Sequence, residues 1–157
     1  MNRVFAAVAF IFGAATASLH AQNIDVHREV DKANKQTLPA AAKTIEDNTD
    51  IKVALAVDAN SFGADARAWS NLNIIANRIV GALSEVGRDQ VGKDAIERDV
   101  KKVVIMKISD VNEDVVELKD HTVYVRTNAG DKAMTVLQNV IVSALEKALH
   151  TGHPPTP

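Results

Sequence analysis

Residues 66–86, ARAWSNLNIIANRIVGALSEV, restrict the possible folds more than any other stretch of the chain. Trp69, Leu72, Ala76, Ile79, Leu83 and Val86 recur at alternating steps of three and four, which aligns them on one side of an α-helix. Ile75 and Val80 widen that stripe, while Arg67, Asn71, Arg78 and Glu85 fall on the opposite side. Trp69 is the only Trp and stands in the first turn, where one large side chain can anchor a core. Asp65 caps the start, and Gly87 ends the helix in the usual C-terminal manner. Ile74 lies off the stripe near Ser70 and Gly81, whose small side chains permit another segment, such as 22–46, to pack close.

Such a helix needs a partner layer, and strand-like runs flank it. In 51–57 (IKVALAV), Ile51, Val53, Leu55 and Val57 alternate with Lys52, Ala54 and Ala56. The second face is small rather than polar, which predicts a strand covered on both sides. Residues 103–108 (VVIMKI) are nearly all apolar, the pattern of a central strand. Residues 114–119 and 122–127 form a hairpin whose register follows from a two-residue Asp120-His121 loop. Lys119 then opposes Thr122, Leu118 opposes Val123, Glu117 opposes Tyr124, and Val116 opposes Val125. Val116, Leu118, Val123 and Val125 share one face; Val115, Glu117, Tyr124 and Arg126 share the other. A slip of one residue would destroy that segregation.

Three further helices complete the order. One is capped by Thr37, has Pro39 in its first turn and continues through 40–46 until 47–50 (DNTD) breaks it. A second covers 91–102 with Ile96 and Val100 inward, and a third covers 133–149 with a stripe of Met134, Leu137, Ile141, Ala144, Leu145 and Ala148. Residues 22–36 are polar, with Ile24, Val26 and Val30 at even spacings that suit an edge strand, a helix or a loose arm. The expected fold is α+β: a four-stranded, mostly antiparallel sheet (strands near 51–57, 103–108, 114–119 and 122–127) with helices packed on it. A single globular domain spans 22–149, followed by a Pro-rich disordered tail, 150–157.

The N-terminus predicts export. Arg3 precedes a fourteen-residue apolar or small run, 4–17, and Ala15-Thr16-Ala17 fits a signal-cleavage pattern with Ala21 as a second site. A membrane span needs about 20 apolar residues, so 1–21 reads as a signal peptide that leaves no membrane span once removed. Cleavage after Ala21 leaves 136 of the 157 residues and moves the formal charge from −2 to −3. A mildly acidic chain gives no reason to expect nucleic acid. The absence of cysteine excludes disulfides, thiolate metal sites and a Cys nucleophile, and a periplasmic or secreted destination fits a chain held by packing alone.

Motifs for chemistry are weak. Residues 87–94 (GRDQVGKD) match a phosphate loop but end in Asp94, where Ser or Thr must hold magnesium, and they follow a helix instead of a strand. They read as a helix end, a turn and a new helix start. Asp110, Asn112 and Asp114 have calcium-loop spacing, yet Val115 replaces the required Gly and His121 the closing Glu. No cofactor motif, no paired-His metal motif and no nucleophile elbow occurs. The contact candidates are Val115, Glu117, Tyr124 and Arg126, which set an aromatic and an Arg beside apolar area. These features favour a small exported, non-enzymatic protein that binds a protein or envelope partner through this surface. The alternative is a hydrolase using carboxylates, such as Asp58 and Asp65, near the 58–65 loop.

Overall fold

The computed structural model describes residues 25–109, 115–129 and 137–151. Helix α1 covers residues 25–32 and passes through a π-helical turn, Ala33–Thr37, into α2, Leu38–Thr49. The even spacings of 22–36 therefore belong to a helix, and Val26 and Val30 pack against the core. Thr37 lies inside this rod with helical angles and no side-chain cap bond, so the expected helix start at Thr37 is replaced by continuity. The π turn relieves Pro39, which lacks an N–H and whose ring would press on the carbonyl four residues back. Asp50 then stops α2 in the left-handed conformation, at φ 61°.

Strand β1 is Ala54–Val57, followed by α3, Ala59–Phe62, α4, Ala66–Ser70, α5, Leu72–Val86, and α6, Gln90–Asp99. The predicted single helix 66–86 is thus two helices that share Asn71, whose side chain donates to Ala129 O at 2.9 Å. Strands β2, Lys102–Lys107, β3, Val115–Lys119, and β4, Thr122–Thr127, follow, then α7, Leu137–Thr151.

The four strands form one mixed sheet in the order β1-β2-β4-β3. β1, β2 and β4 run parallel, and only β3 is antiparallel to its neighbour, so the expectation of a mostly antiparallel sheet is corrected. The cause lies in the connections. The helical crossover 58–101 returns the chain to the end of the sheet where β1 began, which makes β2 parallel to β1. The tight turn makes β3 and β4 antiparallel, but it is β4, not β3, that pairs with β2. The hairpin register is the expected one, from Lys119↔Thr122 to Val116↔Val125. Asp120 and His121 both have positive φ, 49° and 59°, as a twisted two-residue hairpin turn requires.

The core lies on one side of the sheet. Val103, Ile105, Val123 and Val125 are fully buried, and α5 packs between α2 and α7 to cover them with Ile45, Ile75, Ile79, Leu83, Ile141 and Leu145. Trp69 is 4% exposed, packs against Phe62 with ring centroids 4.9 Å apart and planes tilted by 47°, and donates its indole N–H to Gly63 O at 3.0 Å. Ile74 remains exposed. The N-terminal helices meet α4 and α5 beside Trp69, Ser70 and Asn73 instead, and Gly81 makes room for Gln138 of α7. Gly87 follows α5 at φ −82°, not in the left-handed form; its lack of a Cβ keeps clear of Leu83 O and the Thr49 methyl. Residues 87–89 then turn into α6, whose N-cap is Asp89, so the phosphate-loop lookalike is a helix–turn–helix corner.

Candidate functional site

The opposite face of the sheet has no buried residue. Strand alternation and the pairing register arrange it in three rows. Ala54, Lys102, Thr122 and Lys119 form the first, and Ala56, Val104, Tyr124 and Glu117 the second. Met106, Arg126 and Val115 form the third. No helix of the described residues seals these rows. β1 was expected to be covered on both sides. It is an edge strand whose Ala54 and Ala56 lie on the open face, Ala54 exposed and Ala56 half-buried.

The hairpin brings the four sequence-derived contact residues, Val115, Glu117, Tyr124 and Arg126, onto this one face. Arg126 Nη1 donates to Glu117 Oε2 at 3.1 Å across the strands, and its guanidinium carbon stands 5.9 Å from the Tyr124 ring centre. Arg126 thus links the Glu117 carboxylate of the neighbouring strand to the face of the Tyr124 ring. Val115 is 41% exposed, one of three large apolar side chains left in solvent among the described residues. Val104 and Met106, half-buried on β2, extend the apolar area beside Tyr124. Sequence reasoning missed Lys102, Val104 and Met106 as part of this surface. Lys102, expected at the end of the helix 91–102, opens β2 instead because that helix stops at Asp99. The run VVIMKI has no polar alternation to reveal its outward side, and only the pairing of β2 with β4 supplies it.

The 58–65 loop holds the other candidates. Asp58 Oδ1 accepts from Asn60 N at 3.1 Å and Asp65 Oδ1 from Ala68 N at 3.0 Å, so each carboxylate caps a short helix. Asp65 Oδ2 also accepts from Lys107 Nζ. The Lys107 hydrogen bond, followed by the Ala68 N–H, holds the Asp65 carboxyl below the ordinary carboxylate value of 3.8. A carboxylate so committed accepts hydrogen bonds and is a poor proton donor. Ser61 joins this loop to the end of β2, its hydroxyl accepting from Lys107 N at 2.9 Å and donating to Asp58 O at 2.7 Å.

A groove of about 540 Å³ lies between α5, α6 and α7, lined by Val86, Val91 and Leu149 and rimmed by Glu85, Asp89 and Asp94. No group of three or more His, Asp or Glu side chains among the described residues is arranged to hold a metal ion. Asp110, Asn112 and Asp114 and the expected signal peptide 1–21 lie outside the described residues. Of the expected tail 150–157, residues 150 and 151 continue the last helix and 152–157 lie outside the described residues. No described helix is long and apolar enough to cross a membrane. Comparison with family models, curated proteins and solved structures returned no match to this chain.

Proposed function

We propose that this chain is an exported, non-enzymatic binding protein that engages a protein or envelope component through the open face of its sheet. The observation that carries this reading is the position of Tyr124. It stands on a sheet face that no described helix covers, beside Val104 and Met106 and in contact with Arg126. The opposite side of the same strands already makes the core with α2, α5 and α7, so the fold does not need these outer residues for its own packing. Aromatic and Arg side chains grouped with exposed apolar area are the composition of binding hot spots. The export part of the proposal rests on residues 1–21 of the sequence.

Thermal melts of Tyr124→Ala and Leu118→Ala, paired with pull-downs from the protein's own envelope fraction, test the surface. Tyr124→Ala should melt like the wild type and lose about 2 kcal/mol of partner affinity. Leu118→Ala, a truncation on the core side of the same hairpin, should lower the melting temperature. Destabilisation by both, with no separate binding defect, would remove the surface. Mass spectrometry of the native protein tests export: the chain should begin after Ala17 or Ala21, and an intact Met1 on membrane-bound protein would refute it.

A further inference from the structure

We infer that the occupant of the open sheet face is an acidic amphipathic helix of a partner protein, an inference that rests on the binding role proposed for that face. Its apolar stripe would lie on Val104, Met106 and Tyr124, and its carboxylates would meet Lys102 and Lys119. Charge selects the sign. The whole chain has a formal charge of −2, yet this face carries Lys102, Lys119 and Arg126 against the single carboxylate of Glu117. Arg126 and Glu117 satisfy each other at 3.1 Å. Lys102 and Lys119 have no ion-pair partner among the described residues, and both are exposed in the first row. They stand two strands apart, about 10 Å, with Thr122 between them. Carboxylates arriving there gain two uncommitted ammonium groups beside an apolar surface, which favours an acidic partner in both encounter and register.

Shape selects the helix. A sheet face with an apolar centre is buried in proteins by another sheet or by helices, and here the other face of this sheet is already helix-covered. A helix is about 10 Å across and spans two strands. β2 and β4, which carry Val104, Met106 and Tyr124, are that pair. A second copy of this chain meeting face to face would set Lys102, Lys119 and Arg126 against their own kind. Strand addition has little to work with, since the edge strands β1 and β3 are four and five residues long. Single-stranded nucleic acid is held on successive aromatic platforms, and Tyr124 is the only aromatic side chain of the face.

Panning a phage-displayed library of helical peptides, about 20 residues long, on the purified protein tests the inference. Enriched peptides should carry an apolar stripe flanked by Asp or Glu, and rising salt should weaken them. Affinity for such a synthetic peptide, read by fluorescence anisotropy, should fall about tenfold or more in Tyr124→Ala and in Lys102→Glu/Lys119→Glu, with the melts of both variants unchanged. If Tyr124→Ala releases the peptides but charge reversal does not, or if they are neutral or basic, the face binds and the acidic partner is wrong. Retention of every enriched peptide by Tyr124→Ala would overturn the binding role itself. Tighter binding of oligothymidine or of phosphatidylglycerol vesicles than of any acidic peptide, abolished by the charge reversal, would replace the partner class.

Discussion

A methyl group on Gly92 would lie 1.8 Å from the carbonyl oxygen of Val86, so α6 folds back against the end of α5 at backbone contact. Asp89 Oδ1 accepts from Gly92 N at 2.8 Å and fixes the corner from the other side. This contact accounts for Gly92 in a stretch that resembles a phosphate loop only in its letters. Gly92→Ala should therefore part the two helices and cost about 1–3 kcal/mol or more, as overpacking does. Gly63→Ala is the contrasting change. Its Cβ would meet nothing within 4 Å, and only the backbone conformation, φ 53° with ψ −137°, opposes it, at about 1–3 kcal/mol. Denaturant titrations of the two variants should rank Gly92→Ala as the less stable. The reverse order would mean that the α5–α6 corner relaxes freely.

Trp69 joins the two short helices to the core. Its ring packs at a tilt against Phe62 and its N–H reaches the carbonyl of Gly63, so one side chain fixes the loop between α3 and α4. Trp69→Ala should cost about 3–5 kcal/mol, a large part of a typical domain's stability. Trp69→Phe keeps most of the apolar area and loses only the hydrogen bond to the Gly63 carbonyl, and should cost less. Equal melting temperatures for wild type and Trp69→Ala would contradict the buried position.

What the sequence revealed follows from what each pattern encodes. The hairpin was legible because a period of two ties Val116, Leu118, Val123 and Val125 to one side, and only one register does so. The helix stripe from Trp69 to Leu83 was legible for the same reason at a period of 3.6. Strand direction was not, because VVIMKI has the same pattern read either way. Direction resides in the connections: the long crossover 58–101 imposes a parallel pair, and the two-residue turn an antiparallel one. Ala54 and Ala56 misled for another reason, since a small side chain suits both a covered face and an open edge. Val26 and Val30 are four apart, a spacing that serves a helix as well as an edge strand. The candidate site was half legible. Its hairpin side (Val115, Glu117, Tyr124, Arg126) came from local register, while its other side (Lys102, Val104, Met106) depends on a long-range pairing.

The turn at Asp120 and His121 places two residues that carry a Cβ in the left-handed region. Its geometry matters beyond the hairpin, since His121 O accepts from Lys101 N at 2.8 Å and from Lys102 N at 3.2 Å where β2 begins. His121→Gly should relieve the strain and stabilise the protein by about 1 kcal/mol, offset in part by the added freedom of the unfolded chain. His121→Val should destabilise it, because a β-branched side chain resists positive φ. Melts of the two variants on opposite sides of the wild type would bear this out. A stabilised His121→Val would mean that the turn is not held in this conformation.

The pair Asp65–Lys107 makes stability depend on pH with a definite sign. Lys107 and the Ala68 N–H favour the ionised carboxylate, so the folded protein takes up this proton at lower pH than the unfolded chain, whose ordinary value is 3.8. The unfolded state then binds more protons in that window. Stability from the pair is complete above the ordinary value and is lost as pH falls toward the lowered one. Asp65→Asn keeps an oxygen to accept from Ala68 N but removes the charge that Lys107 meets. Denaturation curves of wild type and Asp65→Asn should therefore stand furthest apart near neutral pH and converge below 3.8. The Asp65 side chain is 39% exposed, so added salt should narrow the neutral-pH gap as well. A gap that persists or widens on acidification would show that Asp65 acts only as a helix cap and that its contact with Lys107 contributes nothing to the fold.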